Sequence, residues 1–159
     1  GASGFTATDL SGALAASDYF TFSVTINSGF SMTLTSVMMR LFDTTSGPTN
    51  AALFSSIGGF TQSSAAIQTF TLTGNANNDQ SITLSSGSFS NLTGTVEFRL
   101  YAFGGGSGST DKLRFRNLTG NDLVLNGTVA TSAVPEPSTY AVLCGAIVLL
   151  VAIYRRRKT

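Results

Sequence analysis

The sequence predicts an all-β body, an antiparallel β-sandwich of jelly-roll type with about eight strands, followed by a C-terminal transmembrane helix. Three observations lead there. Apolar residues alternate with hydroxyl residues over short runs, as where Phe20, Phe22, Val24 and Ile26 interleave with Thr21, Ser23 and Thr25; this period of two marks a strand with one buried face. Turn residues break the pattern at short, regular intervals. Four of the nine basic residues, Arg155, Arg156, Arg157 and Lys158, stand together behind an uncharged apolar run at the end of the chain.

After the strand through Phe20–Ile26, Met32 and Leu34 hold one alternating phase while Val37, Met39 and Leu41 hold the other. The change of phase predicts a β-bulge near Ser36. Further strands are expected at Ala51–Ser55, Ile67–Thr73, Ser81–Leu84, Thr95–Phe103, Lys112–Leu118 and Leu123–Val129. Turns are expected at Ser46-Gly-Pro48, Gly58-Gly59, Gly74-Asn-Ala-Asn-Asn78, Ser86-Gly87, Gly104–Gly108 and Gly120-Asn121. No stretch of the body carries sustained helical periodicity. Thr and Ser on the outer faces keep such sheets soluble without many charges, and twelve Phe supply the core.

Composition narrows the chemistry. Among 159 residues, 11% are charged while Ser and Thr fill 43 positions. The absence of His removes a Ser-His-Asp triad, a His general base and His-ligated zinc. A single Cys excludes an intramolecular disulfide framework and a Cys-rich metal site. No catalytic residue, cofactor or metal is expected. The body offers no basic face to a phosphate backbone, because only five basic residues stand against eight acidic ones ahead of the terminal cluster; nucleic acid is not an expected partner.

The sequence divides into an extracytoplasmic sandwich over residues 1–130, a linker over 131–138, a membrane helix over 139–154 and a basic cytoplasmic tail over 155–159. A sixteen-residue helix is about 24 Å long, somewhat short of a bilayer core of roughly 30 Å. Tyr140 and Tyr154 at its two ends suit the interfaces, and the arginines can snorkel. The positive-inside rule places Arg155, Arg156, Arg157 and Lys158 in the cytoplasm. Cys144 is expected to pack within this helix as a small apolar residue, and Ala141 and Gly145 have the small-xxx-small spacing that allows close helix contact, a spacing too common to specify a dimer. Ahead of it, Val134-Pro135-Glu136-Pro137-Ser138 is a stiff, non-helical spacer, since each Pro fixes its own φ and pushes the preceding residue toward extended geometry.

Pro-Glu-Pro-Ser, a short apolar helix and a terminal arginine cluster, in that order, resemble the PEP-CTERM sorting domain of bacterial exported proteins. The resemblance covers Val134 to Lys158, about a sixth of the chain. It implies that Val134, Pro135, Glu136, Pro137 and Ser138 form the sorting motif, with Arg155, Arg156, Arg157 and Lys158 as the basic membrane anchor. It further implies processing by exosortase, an integral-membrane transpeptidase, and an association with exopolysaccharide-producing organisms. The same tail occurs on proteins labelled ice-binding protein C-terminal domain. Gly1–Phe5 carries no initiator Met and no apolar leader, as expected if a signal peptide lies upstream.

Within the body, Glu97, Arg99, Arg114 and Arg116 fall on polar faces of late strands. They are read as cross-strand charge pairs, with Asp111 as a further partner; the alternative is a site for an acidic sugar. Asn75, Asn77, Asn78 and Asp79 gather oxygen donors in the manner of a calcium loop, but Asx side chains also bond their own turn. Asn91, Asn117 and Asn126 match the glycosylation sequon, and turn or strand-end roles account for them. The expected function is that of an exported, non-catalytic surface or extracellular-matrix protein, held at the inner membrane before processing. A carbohydrate-binding or, more remotely, ice-binding sandwich on the same tail is the alternative.

Overall fold

The computed structural model describes residues 2–3, 5–84, 87–105, 112–117 and 119–131, with Cys144, Ile147, Tyr154 and Arg156 beyond them. Among the described residues the strands are β1 (Ala2–Ser3), β2 (Tyr19–Ile26), β3 (Phe30–Asp43), β4 (Asn50–Ser55), β5 (Gln68–Thr71), β6 (Ala76–Thr83), β7 (Gly94–Phe103), β8 (Lys112–Phe115) and β9 (Leu123–Thr131). A helix, α1 (Leu10–Ala16), lies between β1 and β2, and a 3₁₀ turn spans Gly87–Phe89.

Every strand pair is antiparallel. One sheet runs β1-β8-β3-β6, with β9 also against β3; the other runs β2-β7-β4-β5. The long β3 organises the first sheet. One of its edges takes β9 along Phe30–Met39 and then β8 along Leu41–Asp43, while the other takes β6 along Ser36–Asp43. The register with β9 shifts between Leu34 and Ser36, so the expected bulge sits where the apolar phase changes. Gly127 lies opposite this irregularity, and a Cβ there would run into the Thr33 carbonyl and the Leu34 backbone; the close approach of the two chains requires glycine.

The inward residues of both sheets share one core. Leu34, Val37, Met39 and Leu41 from β3 and Leu113 from β8 pack in it with Leu53 from β4 and Val96, Phe98 and Leu100 from β7. Phe98 is fully buried and stacks with Phe22 at 5.3 Å and Phe89 at 6.3 Å between ring centroids. Truncating a Phe so enclosed to Ala costs about 3–5 kcal/mol in general.

Besides the short β1, which pairs with β8 where no strand is expected, three elements depart from the sequence expectation. The first is α1, for which no helix was expected. Asp9 caps its start, the carboxylate accepting from the Gly12 N–H at 2.8 Å, and Ser17 ends it in the left-handed region at φ 55°. Leu10, Ala13 and Leu14 form its apolar stripe, but seven residues are too few to establish a period. The stripe packs over Ala52, Phe54 and Tyr101 on the outer face of the second sheet, making a separate small core.

The second is β6, which begins at Ala76 rather than after the Asn run. The turn itself is confined to the residues before it, with Asn75 at φ 54°. Asn78 points inward and is buried. Its amide accepts from the Thr73 N–H at 2.7 Å and donates to the Thr73 and Ala76 carbonyls at 3.0 and 3.1 Å. A polar residue therefore stands at a core position because it closes the preceding turn. The third is β8, which stops at Phe115, short of the expected Leu118.

Most of the expected membrane segment 139–154 lies outside the described residues. Cys144, Ile147 and Tyr154 within it are helical and exposed, as is Arg156 beyond it; Cys144 is a free thiol. Among the described residues, no helix is long and apolar enough to cross a membrane.

Candidate functional site

The sorting motif at Val134, Pro135, Glu136, Pro137 and Ser138 lies outside the described residues, as do Arg155, Arg157 and Lys158.

The outer face of the first sheet carries a cleft of about 380 Å³ lined by Phe42, Asn77, Arg114, Phe115, Arg116 and Asn117. Strand register builds it. Phe42 of β3 stands opposite Asn77 of β6 on one side and Arg114 of β8 on the other, so three outward side chains form one row across the sheet. The next row pairs Arg40 with Asp79. Past the end of β8 the Arg116 N–H donates to the Arg40 carbonyl at 2.8 Å, which continues the edge and brings Arg116 beside Arg40.

The arginines in this neighbourhood are held differently. The Arg116 Nη1 donates to both Asp79 oxygens, at 3.2 and 3.1 Å. The Arg114 guanidinium lies over the Phe42 ring, 4.7 Å from its centroid. Such stacking occupies the guanidinium's face and leaves its N–H edge available to an acceptor. Among the described residues, neither Arg114 nor Arg40 forms an ion pair.

Glu97 and Arg99, grouped with these residues in the sequence reading, belong to the outer face of the other sheet. They pair along one strand, Arg99 Nε to Glu97 Oε1 at 2.6 Å, and not across strands. The guanidinium is clamped between the rings of Tyr19 and Phe60, at 4.3 and 4.0 Å from their centroids. Partial burial opposes its charge, yet hydrogen bonds to Glu97 and Tyr101 and the Glu97 charge outweigh this and hold it above the ordinary arginine range. The expected single group is therefore two groups, one on each side of the molecule. Asp111 lies outside the described residues, and the carboxylate that Arg116 meets is Asp79. Strand order decides this: β7 and β8 are consecutive in the chain but belong to opposite sheets.

Of the possible calcium ligands, Asn78 is engaged in its turn and Asp79 with Arg116. Among the described residues, no three His, Cys, Asp or Glu side chains converge. On the outer face of the second sheet, Thr21, Thr25 and Thr95 are engaged with neighbouring groups. Thr25 and Thr95 bond one another at 3.0 Å, and Thr21 bonds Glu97 and the Phe98 carbonyl, so the row runs into the Glu97–Arg99 pair. Another hollow, about 330 Å³, opens at one end of the sandwich above Ile67, Leu84 and Phe89, with Ser55, Thr83 and Ser88 on its walls. It holds hydroxyls but no titratable group.

Comparison with family models, curated proteins and solved structures finds no match to this chain.

Proposed function

We propose that this chain is an exported surface or extracellular-matrix protein whose C-terminal PEP-CTERM signal is processed by exosortase, with a non-catalytic, jelly-roll body. The observation that carries this reading is the ordered set of Val134-Pro135-Glu136-Pro137-Ser138, the uncharged segment 139–154 and the run Arg155–Lys158. The position of the body supports it. β9 ends at Thr131, so two residues separate the last strand from the motif. In this reading Val134–Ser138 leads from the body to the membrane, where an integral-membrane transpeptidase can reach its two prolines and carboxylate. In this reading the protein is the substrate, and the nucleophile belongs to the processing enzyme.

Replacing Pro135, Glu136 and Pro137 together by Ala in the producing organism should abolish processing and leave the unprocessed protein in the inner-membrane fraction. Release at the normal rate would overturn the sorting assignment.

The cleft favours a second reading for the body itself, as a carbohydrate-binding module. Asn77 and Asn117 supply amides that both donate and accept, and Phe42 supplies aromatic surface on the outward face; this is the mixture a sugar ring with vicinal hydroxyls requires.

A further inference from the structure

We propose that the cleft on the outer face of the first sheet binds the carboxylate of a uronic-acid polysaccharide, with Arg114 as the carboxylate-binding residue and Asn77 and Asn117 as partners for the sugar hydroxyls. This rests on the carbohydrate-binding reading of the body and adds the charge class of the ligand.

Four observations lead to it. The Arg114 guanidinium carbon lies over Phe42, 4.7 Å from the ring centroid, through a register that sets the two residues opposite one another. A guanidinium fixed in this way has lost part of its rotamer freedom before a ligand arrives, and its planar donor edge matches a carboxylate. Arg114 meets no carboxylate among the described residues, whereas Arg116 is bound to Asp79 and Arg99 to Glu97. Arg40 lies one row further along the same face without an ion pair among the described residues, so the surplus charge of this face is positive although the body and linker together are acidic. The amides beside Arg114 distinguish the cleft from a bare cationic patch. Asn117 is exposed at its rim, and an amide suits a hydroxyl better than a second anion. The hollow beneath Ser55 and Thr83, in contrast, offers hydroxyls and no charge.

The test uses the full chain in detergent, passed over immobilised polygalacturonate, neutral dextran and dextran sulfate at physiological salt. The expected result is selective retention on polygalacturonate, about tenfold weaker in Arg114→Ala, as loss of one charge-assisted contact implies. Arg114→Lys should recover only part of it, because the charge remains and the fork is lost. Asn117→Asp, an exposed change that leaves the stacked pair in place, should also weaken retention and guards against misfolding of the Arg114 variants. Binding to dextran that is indifferent to Arg114 would overturn the carboxylate assignment and leave the carbohydrate reading standing. Equal binding to dextran sulfate and polygalacturonate would overturn it in favour of unspecific charge attraction. No retention on any of the three would overturn both readings.

Discussion

Three arginines with the same chemistry have three different settings here. Arg99 is clamped between two rings and tied to Glu97, Arg116 is tied to Asp79, and Arg114 rests on Phe42. The sequence identifies the residues but not these differences. Period-two alternation says that Arg114 and Glu97 face outward; it cannot say that they face outward on opposite sheets. Asp18 shows how burial acts on a single group. Partial burial beside α1 raises its carboxyl above the ordinary value of 3.8, because desolvation disfavours the charged form. A folded-state pKa above the unfolded one favours the native state while the group is protonated. That contribution is fully present below the ordinary carboxylate range and is lost as pH rises through the raised value. Asp18→Asn, which cannot ionise, should therefore gain stability on the wild type between about pH 3 and pH 7. Chemical denaturation at both pH values measures it, and a difference that does not change with pH would contradict the expectation.

At the scale of elements, α1 is held by very little. One carboxylate cap and three apolar side chains fix seven residues over the outer face of the second sheet. Asp9→Ala should cost about 1 kcal/mol, read as a lower denaturation midpoint with an unchanged slope. A change below a few tenths would mean that packing on Tyr101, and not the cap, holds the helix. The cap was the legible signal: Asp9 precedes Leu10, Ala13 and Leu14 at helical spacing. It is obscured because so short a pattern also fits a loop. The bulge in β3 was legible for the opposite reason, since a phase change inside fourteen alternating residues has no other economical explanation. The Asn run before β6 misleads because Asn ordinarily marks turns, and Asn78 performs a turn's bonding from inside a strand.

For the whole molecule, the two-sheet antiparallel architecture was legible from alternation and turn spacing, while the pairing order was not, because partners far apart in the chain leave no local trace. The candidate cleft was legible only as a residue list. Phe42 and Asn77 come to Arg114 through β3 and β6, which no nearby spacing announces. The charge balance of +1 for the full chain divides into −3 before Arg155 and +4 from there on, and the sorting proposal turns on that division. Deleting Arg155–Lys158 should disturb orientation at the membrane. Protease accessibility of the body in spheroplasts reads this out, and normal topology without the cluster would count against the positive-inside argument.

The pairing order also sets a timetable. β2 must wait for β7 and β3 for β9: 76 residues separate Thr21 from its bonded Glu97, and 90 separate Ser36 from Asn126. A chain that emerges from its N-terminus has its central strands ready long before their partners exist, and loop closure over such spans is slow. The body cannot close until its last strand is out, immediately ahead of the linker. Under the proposed export, such a polypeptide would remain extended for nearly its whole passage across the membrane and fold only once β9 had followed.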